Sequence, residues 1–155
     1  MRLAVLGCIL WLSFYPSFID SSERPKGHAG RVIASSEIEC LAGAIWAEAR
    51  GEPTKGQEAV GHVILNRNAS GNSDVCSVVA HPYQFSFYTR NYQWKYHAKQ
   101  KEIAVRLLQD EYNGNRQDFL KGITHYTNVK VKTVWMKAFM VETVIGNHKF
   151  LREKR

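Results

Sequence analysis

The chain has 155 residues, 45% of them hydrophobic and 23% charged, with a formal net charge of +7. That length suits one domain around a single sizeable core, and that balance excludes a wholly disordered chain. The basic surplus favours an anionic partner (nucleic acid, a membrane surface or an acidic wall polymer) without choosing among them.

The amino terminus, MRLAVLGCILWLSFYPSFID, has one early arginine and then an apolar run from Leu3 to Ile19 interrupted by Pro16. A spanning helix needs about 20 apolar residues, so residues 1–22 read as an export signal peptide or a weak signal-anchor. Membrane contact through residues 3–19 is then transient, and a buried amino-terminal helix is the alternative. Residues 23–35 are polar, with proline and glycine, and read as a linker, leaving 36–155 for the folded domain. Cys8 falls inside the signal. Cys40 and Cys76 remain as one candidate disulfide in an oxidising compartment, with two buried thiols as the alternative.

Ser36 and Glu39 have capping-box spacing and predict a helix start, followed by an apolar face of Ile38, Leu41, Ala42, Ile45 and Ala49. Gly51 suits the left-handed residue after a helix and Pro53 disfavours helix at Glu52, so this helix ends near Arg50. Thr54 and Gln57 predict a second capping box and a helix to about Arg67. A short helix from about Asp74 must finish before Pro82. PYQFSFYTRNYQWKY is dense in rings and fits no single period; Tyr83, Tyr88, Tyr92, Trp94 and Tyr96 serve as a binding face, a membrane-facing patch or, for most of them, core filling. A longer helix from about Tyr96 to Tyr112 is stopped by Gly114. GITHYT and VETVIGNHKFL are β-branched and read as strands, with Gly146-Asn147 as a hairpin turn. Helices first and a small antiparallel sheet after them predict an α+β domain.

WAEARGEP, residues 46–53, holds the chemistry-bearing pair. Glu48 falls in the last turn of the first helix, facing the negative end of the helix dipole and free carbonyls, which favours its protonated form, more so if Trp46 excludes water. A carboxylic acid kept protonated is what the leaving oxygen of a glycoside requires. The bland reading, a solvated helix end with a Glu–Arg pair, stands beside it on spacing alone. Glu52, beyond the helix, is expected to support the loop or pair with Arg50 or Arg67.

LAGAIWAEARGEPTKGQEAVGHVILNR, CSVVAHPYQFSFY, ITHYTN, Trp135 and IGNHKF occur in the order seen in the cell wall hydrolase family of SleB-like spore cortex-lytic enzymes, and the resemblance covers about residues 37–151. It implies a compact lysozyme-like domain that cleaves peptidoglycan glycan strands as a lytic transglycosylase, without a cofactor, and it assigns catalysis to Glu48. Two departures are Trp46-Ala47 before the glutamate and VKVKTV, residues 129–134, where the family commonly has a proline. Under this reading Glu48 alone protonates the oxygen between MurNAc and GlcNAc and then accepts the proton of the sugar 6-hydroxyl, leaving a 1,6-anhydro end. Simple muramidase hydrolysis is the alternative, and it returns if Glu52 reaches the site.

Gln84, Phe85 and Ser86, with Tyr126, are expected to line the glycan groove, rings to the apolar sugar face and polar groups to its rim. Asn66 and Arg67 are expected to brace the EARGE turn, and Arg50 to hold either glutamate. The histidines show no H-E-x-x-H or similar metal-ligand spacing, so a zinc peptidase is disfavoured and no metal is expected. A nucleic-acid-binding protein is disfavoured by the export signal and by basic residues spread along the chain. A non-catalytic wall-binding module is a further rival. The expected setting is a monomer exported to the periplasm or cell wall, and the small size suits a phage endolysin and a bacterial remodelling enzyme alike.

Overall fold

The computed structural model describes residues 32–69, 74–82, 84–89 and 92–154. The expected signal, Cys8, residues 23–31 of the linker and Tyr83 lie outside them. The order of elements is α1 (Ser35–Ala49), α2 (Thr54–Ala69), α3 (Val75–Ala80), α4 (Ala98–Tyr112), β1 (His125–Asn128), a 3-10 turn (Val134–Ala138), β2 (Phe139–Ile145) and β3 (His148–Glu153). This is the expected α+β, lysozyme-like arrangement, helices first and a small antiparallel sheet after them.

Leu41, Ala42, Gly43, Ala44 and Ile45 of α1 are buried in unbroken succession, so this helix is enclosed by its neighbours instead of lying on a surface. Its small residues let those neighbours approach: a Cβ on Gly43 would meet Trp94 at 2.3 Å. Trp94 forms a ring cluster with Tyr88 and Tyr92, and Phe87 extends it to Phe85. Tyr88, Trp94 and Tyr96 are packed against the helical core, the role expected for most of these rings. A Cys40–Cys76 disulfide, Cα to Cα 5.3 Å, ties α1 to α3.

Two predicted capping boxes do not form. Ser36 is already inside α1, which starts after Ala34, and the Ala34 carbonyl accepts the Glu37 and Ile38 N–H groups. At α2 the Pro53 carbonyl accepts the N–H groups of Gly56 and Gln57, while the Gln57 amide donates to the Glu52 carbonyl at 2.9 Å and accepts from Gln100 at 2.8 Å. Gly51 is not left-handed either. Arg50 keeps a right-handed helical conformation and the Glu52 N–H closes on the Ala49 carbonyl, so the chain turns without a positive φ. The short helix expected from about Asp74 is α3, and Asp74 caps it, accepting the Ser77 N–H at 2.8 Å. Helix α4 starts two residues after Tyr96, where Gln100 accepts the His97 N–H, and Gly114 follows it at φ +71°.

The sheet order is β1-β3-β2, all antiparallel, with Gly146 at φ +58° in the hairpin between β2 and β3. Strand β1 begins at His125 and not at Gly122, because Lys121 and Gly122 both have positive φ in a turn that Asp118 closes by accepting the Leu120 and Gly122 N–H groups. Residues 129–133 form no strand. A second core of Ala59, Val63, Leu120, Ile123 and Phe150 sits between α2 and the sheet, so α2 faces both cores.

Candidate active site

Glu48 stands one residue before the end of α1, and its Oε2 accepts a hydrogen bond from the Tyr126 hydroxyl at 2.9 Å. Tyr126 comes from β1, opposite Phe150 on β3, and stacks against Phe150 and His148 on the inner side of the sheet. The pair therefore joins the helical half of the molecule to the sheet half. Burial, and after it the charge and hydrogen bond of Glu48, push the Tyr126 phenol well above the ordinary tyrosine range, with Arg67 pulling the other way. A phenol held neutral is a hydrogen-bond donor to the carboxylate and not a base.

Arg67, near the end of α2, lies between the same elements. Its Nε donates to the Thr124 carbonyl at 2.8 Å, and its guanidinium lies 5.4 Å from the Phe85 ring and 6.0 Å from the Tyr126 ring. Burial lowers its pKa from the usual arginine value, and Tyr126 and Glu48 oppose that shift. Arg67 also lines a cavity of about 270 Å³ with Ser77, Val78, His81 and Gln84. Glu48, Tyr126, Arg67 and Gln84 are thus linked through shared neighbours.

Other expected residues fall elsewhere. Phe85 is only 6% exposed and belongs to the helical core under Arg67, so it backs the site instead of presenting a face to a sugar. Ser86 is exposed beside it. Trp46 does not shield Glu48: two residues along a helix of 3.6 per turn place them about 200° apart, and Trp46 sits beside His97 with the Arg50 guanidinium 4.6 Å from its ring. Arg50 also donates to the Ala47 carbonyl at 3.3 Å and holds neither glutamate. Asn66 braces a different loop from the expected one. Its amide donates to Asp118 and to the Ile123 carbonyl, and its oxygen accepts from Arg116.

Glu52 does support a loop, but through a partner that spacing did not suggest. Its Oε2 accepts the Asn147 N–H at 2.9 Å and its Oε1 accepts the Asn147 side-chain amide at 3.1 Å. A Cβ on Gly146 would meet Glu52 Oε2 at 1.8 Å, so glycine is required there both for φ and for room. The carboxylate fastens the β2–β3 hairpin to the turn after α1. Each Glu52 oxygen thus accepts one hydrogen bond from Asn147.

A second polar cluster was not anticipated. Arg116 is ion-paired with Glu111, bonds Asn66 and lies 3.1 Å from His62 Nδ1. Burial lowers the His62 pKa, with Asp118 opposing. At Asp118 burial acts to raise the pKa, but hydrogen bonds from Gly122, Asn66 and Leu120 outweigh it and hold the carboxyl below its usual range. His62 and Asn66 lie 50 or more residues from Arg116 and Asp118 in sequence, where periodicity carries no signal.

Residues 51–151 match the cell wall hydrolase family, a span that takes in Glu52, Arg67 and Tyr126 and begins three residues after Glu48. Among curated proteins the chain is 34% identical over 122 residues to a spore cortex-lytic enzyme of Halalkalibacterium halodurans, covering 76% of this chain and 35% of that protein. It is 28% identical over 138 residues to a spore cortex-lytic enzyme of Oceanobacillus iheyensis, covering 86% of this chain and 48% of that protein. The chain therefore spans less than half the length of either relative. Among solved structures, the catalytic domain of the Bacillus cereus SleB protein superposes with a TM-score of 0.63 at 26% identity, covering 83% of this chain and 98% of that one. The catalytic domain of the germination-specific lytic transglycosylase SleB from Bacillus anthracis gives the same TM-score and identity, with 83% and 100% covered.

Proposed function

The chain belongs to the cell wall hydrolase family, and on that premise we propose that it degrades peptidoglycan by cleaving the MurNAc–GlcNAc bond as a lytic transglycosylase, with Glu48 as its acid and base. The observation that carries this reading is the Glu48–Tyr126 pair at the junction of helices and sheet. Tyr126 donates to Oε2 and fixes the plane of the carboxyl, which leaves Oε1 to carry the proton toward the glycosidic oxygen. As the C1–O bond of MurNAc breaks, the leaving GlcNAc oxygen takes that proton. Glu48, now a carboxylate, accepts the proton of the MurNAc 6-hydroxyl while O6 bonds to C1. No water is consumed, and Tyr126, neutral throughout, keeps its donor on Oε2 in both halves of the reaction.

The commitment of both Glu52 oxygens to Asn147 supports a one-carboxylate scheme, since two-carboxylate mechanisms need a second group free to activate water or attack the sugar. Gln84 and Arg67 line the neighbouring cavity and supply polar contacts for the sugar rim. The substrate lies outside the cytoplasmic membrane, in keeping with the export signal read in residues 1–22. Hydrolysis by a muramidase route is the alternative.

Digestion of purified peptidoglycan in water enriched in oxygen-18 separates the two. Anhydro-muropeptides without the label are expected. Labelled reducing ends would replace transglycosylation with hydrolysis, and no glycan cleavage by the folded protein would overturn the reading.

A further inference from the structure

The sheet has an outer face that is apolar where solvent should meet polar side chains. Residues opposite one another in an antiparallel pair share a face, and the register puts Tyr126 and Phe150 on the inner one. His125, Val141, Val144 and Phe139 then fall on the outer one, together with the polar Thr127 and with Leu151, which is itself buried. The ring contacts agree: Phe139 lies 4.8 Å from His125 and 5.4 Å from Trp135, which extends the apolar surface onto the 3-10 turn. Val134, Trp135, Val141 and Val144 are 79%, 45%, 51% and 53% exposed. A one-sided antiparallel sheet ordinarily turns polar residues outward, and a contiguous apolar surface of this kind marks a binding face.

The charges around it choose the partner. Lys130, Lys132 and Lys137 are exposed on the segment that carries Val134 and Trp135, and no acidic residue interrupts residues 129–141. Lys149, opposite Val144, donates to the Val131 carbonyl at 2.9 Å and holds that segment against the outer face. Glu153, opposite Phe139, is the acidic group that the register puts here, and Lys154 adjoins it. Exposed valines, a tryptophan and flanking lysines are the composition that partitions into the headgroup region of an anionic bilayer. No described helix is long and apolar enough to cross a membrane, so the contact is peripheral.

We infer that the outer face of the sheet, with the Val134–Ala138 turn and its lysines, docks the folded domain on an anionic lipid surface. This goes beyond the glycan-cleaving reading and does not depend on it. The face is on the side of the sheet away from Glu48 and Tyr126, so a docked domain keeps its site open to the wall.

The test is amide hydrogen exchange on the full chain with vesicles of phosphatidylcholine containing phosphatidylglycerol, or of phosphatidylcholine alone. Any tether from the apolar run at Leu3–Ile19 is the same in every variant. Protection over residues 131–144 with the anionic vesicles, weak with the neutral ones, is expected. Replacing Lys130, Lys132 and Lys137 with glutamine should lower partitioning onto anionic vesicles by about a hundredfold, and Trp135→Ser with Val144→Thr should abolish the protection. All five positions are exposed or on the rim, and a thermal melt of each variant confirms that it folds. Three results would overturn the inference: no protection with anionic vesicles, protection that grows with protein concentration in their absence (a second copy), or protection by peptidoglycan fragments but not by lipid. Because no outcome reads glycan cleavage, a failure here leaves the proposed activity intact, and the reverse.

Discussion

The two halves of the molecule are held by different means. The helical half is built around α1, buried on nearly every side, closed by Leu107, Leu108 and Ile64, and stapled by Cys40–Cys76. The sheet half shares a small core with Ala59 and Val63 of α2 and adds a few long-range polar contacts: Glu52 to Asn147, Arg67 to Thr124, Asn66 to Ile123 and Tyr126 to Glu48. Apolar burial is non-directional and sets stability, whereas hydrogen bonds set register and angle. The proposed acid sits on the first half and its hydroxyl partner on the second, so geometry at the site depends on the more weakly fastened part.

The largest expected effect lies at the junction itself. Glu48→Gln removes the transferable proton and should lower glycan cleavage by about 10²–10⁴-fold, the usual weight of general acid–base catalysis, with the melting temperature unchanged. Replacing Cys40 and Cys76 with serine should cost about 2–4 kcal/mol of stability, read by thermal melting against the oxidised parent. If the helical half is as self-sufficient as its core suggests, activity of the folded fraction survives. A variant that folds fully yet loses activity would break the comparison.

Asn147→Ala removes the side-chain amide donor from Glu52 Oε1, leaves the backbone N–H on Oε2, and should cost about 1 kcal/mol. Its distinctive sign is local: faster amide exchange in β2 and β3 than in α1. Uniform loosening would contradict the latch. Acid should give the smallest effect. Because burial favours neutral His62 in the folded state, its contribution is complete above the unfolded value of about 6.5 and is lost as pH falls below it. The depressed Asp118 adds a second loss below about pH 4, its hydrogen bonds in the folded state outweighing burial. Melting across pH 7.5 to 2.5 should show both steps, and His62→Gln should erase the first and shrink the second, because His62 contributes to holding Asp118 down.

Legibility in the sequence follows the same division. Helix existence, the hairpin at Gly146-Asn147 and the stop at Gly114 were readable, because local periodicity and glycine conformation encode them. The starts of α1 and α2 were legible to within a residue but their caps were misread, because Ser36 and Thr54 have capping chemistry yet already lie inside their helices, where backbone carbonyls of Ala34 and Pro53 serve instead. The position of Glu48 at a helix end was legible from Gly51 and Pro53, although Gly51 does not adopt the conformation that suggested it. The partners were not. Nothing in the spacing links Glu52 to a residue 95 positions later, or distinguishes a Phe85 under Arg67 from one on a groove wall.

In the proposed scheme two glutamates four residues apart divide the work, Glu48 doing chemistry and Glu52 holding the hairpin. Measuring glycan cleavage and thermal stability side by side for Glu48→Gln and Glu52→Gln tests it most directly. Glu48→Gln should fold as the parent does and not cleave, while Glu52→Gln should melt earlier and still cleave below its melting temperature. A stable, inactive Glu52→Gln, or an active Glu48→Gln, would contradict it.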